Sequence, residues 1–240
     1  MLENLFCGAV ALGTAEGEDM PELDVFEAMR TTRAVRKLRP DPIPDAVLTR
    51  VLEAATWAPS GGNRQPWRIV LVRSAETKRA LQEQYIALWR GYSESQHKVM
   101  DALSESARAR GKRSLAAGDY LAEHLHEAPA ILVFCFDPKL LAITDAKLAR
   151  ASVVGGASIY PAVQNLLLAC RTEGLGCVLT TLLCAVEAQV RPLIGLPDNW
   201  GTAAFVPIGY PVGRGHNAPV SRLPISEMVY ADRFGERLEK

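Results

Sequence analysis

Four short apolar runs, each set between stretches of helical character, constrain this chain more than any other feature. They are "WRIVLVR" (67–73), "PAILVFCFD" (129–137), "CVLTTLL" (177–183) and "TAAFVPIGYP" (202–211). Runs this short, rich in β-branched and aromatic residues and edged by turn formers, are strands rather than helices. The first two read as buried strands, the third as a strand leading into a loop, and the last as the fourth strand. Between them the apolar period changes to that of a helix. Val47, Leu48, Val51, Leu52 and Ala55 mark one face of a helix from Asp45 to about Trp57. Ile159, Val163, Leu166, Leu167 and Cys170 mark the buried stripe of another, over 157–172, stopped by Gly174 and Gly176. A third helix spans 185–194 and ends at Gly195, and a polar helical region fills 75–127. Asp24-x-x-Glu27 reads as a capping box that opens a helix through about Thr32. The order of elements predicts an α+β or α/β sandwich, a mixed sheet flanked by helices.

Length and composition set the outer bounds. A chain of 240 residues, 48% hydrophobic and 22% charged, has the apolar surface for a sizeable core. No linker or repeat divides it, so residues 22–240 are expected to form one domain behind an N-terminal arm, 1–21. That arm has a short apolar run, no basic leader and an acidic end, which predicts a flexible arm rather than a signal peptide. Lys+Arg and Asp+Glu number 27 each, which argues against a general nucleic-acid binder. No apolar stretch is long enough to span a bilayer. The five cysteines, Cys7, Cys135, Cys170, Cys177 and Cys184, form no C-x-x-C pair and read as reduced thiols of a cytoplasmic protein.

The common catalytic signatures are absent. There is no G-x-G-x-x-G between strand and helix, no P-loop lysine and no G-x-S-x-G elbow. His124 and His126 stand two apart without the partners that would complete a metal set, and no metal is expected. Two other segments carry chemistry. Arg30, Arg33, Arg36, Lys37 and Arg39 form a basic cluster in which positions 33 and 36 are one helical turn apart. Converging guanidiniums make a phosphate clamp; the plain alternative is a solvated charged face. "WAPSGGNRQPW" is a turn-rich loop between two tryptophans. Its glycines let backbone amides approach a flat ligand closely, and Ser60, Asn63 and Gln65 offer donors and acceptors; the plain alternative is a connecting loop.

Taken together, "RTTRAVRKL", "APSGGNRQPW", "GLGCVLTT" and "SRLP" resemble the FMN-dependent nitroreductase family, over about residues 22–235. The family's phosphate motif reads Arg-Arg-Ser-x-Arg and stands here as Thr32-Arg33-Ala34-Val35-Arg36. The resemblance therefore implies that Arg33 and Arg36 hold the FMN phosphate, joined by Arg222 of Ser221-Arg222-Leu223-Pro224, with Thr32 and Ala34 departing from the motif and Ala34 still at a cofactor-binding position. It implies that Pro59, Ser60, Gly61, Asn63 and Gln65 touch the flavin from a partner subunit. It places Thr180, Thr181 and Leu182 beside the isoalloxazine ring, with a backbone N–H near N5. It further implies a nitroreductase-like fold with a mainly antiparallel sheet, in an intertwined homodimer with FMN at the interface. The helix 157–172 is then a candidate for the central interface, or else an ordinary core helix.

The implied activity is electron transfer from NADH or NADPH, each a transient donor, to a small organic acceptor: a nitroaromatic, a quinone or an activated alkene. Donor and acceptor occupy one pocket in turn, in ping-pong order. Relatives of this shape also support reductive dehalogenation or oxidation of a peptide-derived substrate. A flavin-binding or storage protein without turnover is the alternative of another class. Residues 85–126, with Tyr85, Trp89, Tyr92 and Tyr120, read either as a helical lid over the acceptor or as a packing excursion. No residue is singled out as an acid or a base.

Overall fold

The computed structural model describes residues 23–100, 102, 104–213, 215 and 219–237. The expected arm, 1–21, and Cys7 lie outside the described residues. Seven α-helices and four strands are described. They are α1 (Val25–Thr31), α2 (Asp45–Thr56), β1 (Trp67–Val72), α3 (Ala75–Met100), α4 (Glu105–His124), β2 (Ala130–Phe136), α5 (Tyr160–Thr172), β3 (Gly176–Cys177), α6 (Glu187–Ile194), β4 (Gly201–Gly209) and α7 (Ile225–Met228).

The strands lie in the order β1-β2-β4-β3, and every named pair is antiparallel. Alternation along each strand sorts the side chains into two cores. Leu132, Phe134, Ala204, Val206 and Ile208 face α2 and α5, whose Val51, Ala55, Val163 and Leu166 pack on them. Ile131, Val133, Cys135 and Phe205 face the other way, onto Leu81, Tyr85, Leu121 and Val190 of α3, α4 and α6. The result is three layers with the sheet in the middle, the expected α+β architecture. Cys135, Cys170 and Cys177 are buried free thiols. Burial pushes the Cys135 thiol up to about 12, so it stays protonated and unreactive.

Three local features depart from the sequence reading. The third strand is only Gly176–Cys177. Thr180 and Phe205 then exchange both backbone bonds at 2.9 Å, and a 3₁₀ turn over Leu182–Val186 takes the chain off the sheet. The first strand lies at the sheet's edge, so its middle residues are only half covered. Asp24 caps α1 by position, but its side chain makes no capping bond, and Glu27 pairs with Arg30 at 2.5 Å instead.

The end of α1 sets the course of the segment that bears the arginines. The hydroxyls of Thr31 and Thr32 donate back to the carbonyls of Glu27 and Ala28 at 2.7 and 2.6 Å, closing the last turn. The chain beyond is extended. Val35 N–H donates to Cys177 O at 2.8 Å, and Ala34 makes a parallel bridge to Cys177. Further along, Arg39 N–H donates to Tyr210 O at 2.7 Å and Val212 N–H to Lys37 O at 2.9 Å. This segment thus runs along the open side of β3, and its parallel bridge makes the sheet mixed.

On the far face, α3 and α4 form an antiparallel hairpin. Gly118 lets the two helices touch: a Cβ there would stand 2.1 Å from Cζ2 of Trp89. Trp89 Nε1 donates to Asp119 at 2.7 Å, satisfying the indole in its buried setting.

Candidate active site

A cleft of about 280 Å³ opens beside the extended segment. Arg33 and Ala34 line it from that segment, Gln164 and Leu167 from α5, Cys177, Val178 and Leu179 from the sheet edge, and Arg222 from the C-terminal stretch. Two arginines far apart in sequence therefore border one cavity. Their planar forks suit a phosphate, and the cavity's other lining is partly apolar. Arg36 is not among the lining residues. On an extended backbone, positions three apart point to opposite sides, so the side chains do not converge as they would on a helical turn. The Arg36 charge instead acts on the Tyr85 hydroxyl.

The turn-rich loop is ordered by its own polar groups. Gly61 N–H donates to Ser158 Oγ and Gln65 N–H to Ser60 Oγ, each at 3.0 Å. Gln65 Nε2 donates to Asn63 Oδ1 at 3.2 Å. Asn63 and Gln65 hold positive φ of 51° and 46°, a conformation that costs energy in residues other than glycine and concentrates at functional sites. Within one chain this loop stands apart from the arginines. Pro59, Ser60 and Gly61 line a separate groove of about 310 Å³ with Leu141 and Val154. Ser158 precedes α5, whereas Leu167 is seven residues into it, about 10 Å along the axis from Tyr160.

The third group sits between β3 and α6. Thr180 is buried, while Thr181 is exposed and Leu182 half-buried. Thr180 Oγ1 lies 3.5 Å from Tyr85 Oη and accepts from Leu182 N–H at 3.5 Å. Burial raises the Tyr85 hydroxyl above its ordinary range; the Thr180 bond and the Arg36 charge oppose that rise.

Sequence reasoning did not place Gln164 or Leu167 at a ligand site. The available signal was Gln164 and Arg171, polar residues seven apart on one face of α5; Arg171 Nε donates to Thr31 Oγ1 at 3.0 Å. His124 Nδ1 meets Glu127 at 2.9 Å, and its ring stacks on Tyr120. No cluster among the described residues has the make-up of a metal site.

A nitroreductase-like sandwich with a paired-arginine cleft defines a class, and comparison with known proteins bears on it directly. Residues 29–210 match the Nitroreductase family, and the chain belongs to that family. An NADH dehydrogenase of Thermus thermophilus is 35% identical, over 88% of this chain and 97% of that one. Iodotyrosine deiodinase 1 of Rattus norvegicus is 26% identical, over 83% of this chain and 66% of that one. Among solved structures, a nitroreductase from Desulfovibrio desulfuricans in complex with FMN superposes with a TM-score of 0.63 at 23% identity, covering 89% of this chain and 99% of that one. At that identity the likeness concerns the fold.

Proposed function

We propose that this chain is an FMN-dependent oxidoreductase that takes electrons from NADH or NADPH and passes them, in ping-pong order, to a small organic acceptor. Nitroaromatics, quinones and activated alkenes are the acceptor classes. The observation that carries the reading is the cleft itself, which joins Arg33 and Ala34 to Arg222 beside the loop that follows β3. Those groups fit FMN. Arg33 and Arg222 would hold its phosphate, and Leu167, Val178 and Leu179 offer apolar surface next to them. Arg36 would reach the same ligand from the other side of the extended segment. Thr180, Thr181 and Leu182 border the ring. Bound FMN supplies the redox chemistry: it accepts hydride and returns electrons. The protein's share is to bind it, orient it and limit what stacks upon it.

A cavity of about 280 Å³ is smaller than most ligand pockets, which run from about 300 to 1,000 Å³. A second wall is needed. The Pro59–Gln65 loop, rigid yet distant from the arginines of its own chain, supplies that wall from a second copy in an intertwined homodimer. An apolar groove lined by Val25, Trp57, Asn165 and Leu168 gives such a dimer a surface to bury, and Trp57 is 75% exposed there. The α3–α4 hairpin borders the acceptor pocket as a lid. Among the described residues no helix is long and apolar enough to cross a membrane. The reduced, buried thiols suit a cytoplasmic setting.

The test is direct. Purified protein should be yellow, and NADH or NADPH should bleach it without oxygen. Colourless protein that cannot take up FMN would sink the proposal, and yellow protein that resists both donors would favour a flavin-storage role. Reductive dehalogenation is the second reading, favoured by the deiodinase relative. Offering nitroaromatic, quinone, enone and halophenol acceptors to the bleached protein separates the two.

A further inference from the structure

We infer that Tyr85 is a positioning residue for the flavin site, holding the Thr180–Leu182 loop in place through its hydroxyl. This rests on the proposed binding of FMN. Tyr85 lies near the middle of α3 and is 2% exposed. Its ring is stacked parallel to Trp89, with centroids 6.3 Å apart, so the ring is fixed by packing. Its Oη accepts from Thr180 Oγ1 at 3.5 Å, and the Arg36 and Tyr92 side chains act on it electrostatically.

Thr180 Oγ1 in turn accepts from Leu182 N–H at 3.5 Å. The Tyr85 hydroxyl therefore ties α3 to the ring-side loop through Thr180. Both contacts are long for hydrogen bonds, as site contacts often are before ligand tightens them. A buried phenol with no role would be cheaper as phenylalanine, because burying its hydroxyl costs free energy unless it is bonded. Tyr85 is not among the residues that line the cleft, so its influence on bound FMN passes through Thr180.

Tyr85→Phe removes the hydroxyl and keeps the stacked ring. The holoprotein variant should keep its FMN, with affinity within about threefold of the parent. Its two-electron reduction equilibrium should shift about tenfold toward oxidised flavin, a midpoint about 30 mV more negative. Loosening a loop whose N–H donor favours the reduced form predicts that direction. Thr180→Val reads the same contact from the other side. The double variant should shift no further than Thr180→Val alone, because the Tyr85 hydroxyl acts through Thr180. Trp89→Phe is the packing control; it keeps an aromatic ring against Tyr85, loses the bond to Asp119 and should leave the potential unchanged. An unchanged midpoint in Tyr85→Phe, additive shifts in the double variant, or an equal shift in Trp89→Phe would each overturn the inference. If Tyr85→Phe fails to fold, Thr180→Val alone must produce the shift. Parent protein that takes up no FMN overturns the FMN reading first and this inference with it.

Discussion

Arg33 and Arg222 illustrate what single residues contribute. Under the proposed function each would make a charge-assisted bond to the phosphate, worth about 1.5–3 kcal/mol. Replacing either by alanine should weaken FMN affinity by roughly 10- to 150-fold, measured by flavin fluorescence on titration. An unchanged affinity in both would mean that the phosphate binds elsewhere. Neither residue's role was legible from periodicity. Arg33 stood out as part of a charge run, but Arg222 is joined to it only by the fold, and the family resemblance supplied that link. Gly118 shows a residue whose importance is purely steric. Alanine there gains up to about 1 kcal/mol in helix propensity. Its Cβ, however, falls 2.1 Å from the Trp89 ring and must push the indole off Asp119. Overpacking of that kind costs about 1–3 kcal/mol, and losing the indole bond adds to it. Gly118→Ala should therefore lower the melting temperature by several degrees, at about 2–4 °C per kcal/mol for a chain of this size.

Among the elements, the long periodic ones were readable and the short ones were not. Helices α2 and α5 and strands β2 and β4 carry enough apolar repeats to declare their buried faces. The stretch 177–183 is as apolar as a strand, but its ladder ends once Thr180 has paired with Phe205, a fact set by the partner strand. Likewise Thr32–Arg39 is extended because β3 offers it an open edge, which no local pattern announces. The connection between β2 and α5 carries its own clasp. Asp145 accepts from Ser152 Oγ at 2.6 Å and Arg150 Nη1 at 2.7 Å, and these bonds hold its carboxyl below the usual range. A depressed folded value gives stability that is fully present above the unfolded value, about 3.9, and is lost as pH falls through the folded one. Proteolysis of residues 145–152 should therefore begin only in acid below that value in the parent chain. In Asp145→Asn the loop should be cut at neutral pH as well. The hairpin makes a separate claim. Exchanging the exposed residues of 90–113 while keeping Tyr85, Trp89 and Asp119 should change acceptor preference and spare FMN; an unchanged preference would count against a lid.

For the whole molecule, the separation of the Pro59–Gln65 loop from the arginine cleft makes a prediction about subunits. One chain type can carry Arg33→Ala with Arg222→Ala, and another Asn63→Ala with Gln65→Ala. Each homodimer should lose FMN, whereas a mixed dimer should recover one site in two, because it joins one intact cleft to one intact loop. Differently tagged chains, purified together and assayed for flavin per dimer, would show this. No recovery would place the two parts in the same subunit. The extended segment also has a bearing on solubility. β3 is too short to shield the sheet by itself, and the bridge from Ala34 and the bond from Val35 occupy the edge that a foreign strand would otherwise join. The backbone that presents the arginines is thus also a guard against aggregation. Changes that loosen it, such as proline at Val35, should cost the protein its monodispersity together with its cofactor, so that light scattering and loss of yellow colour rise together in the same variants.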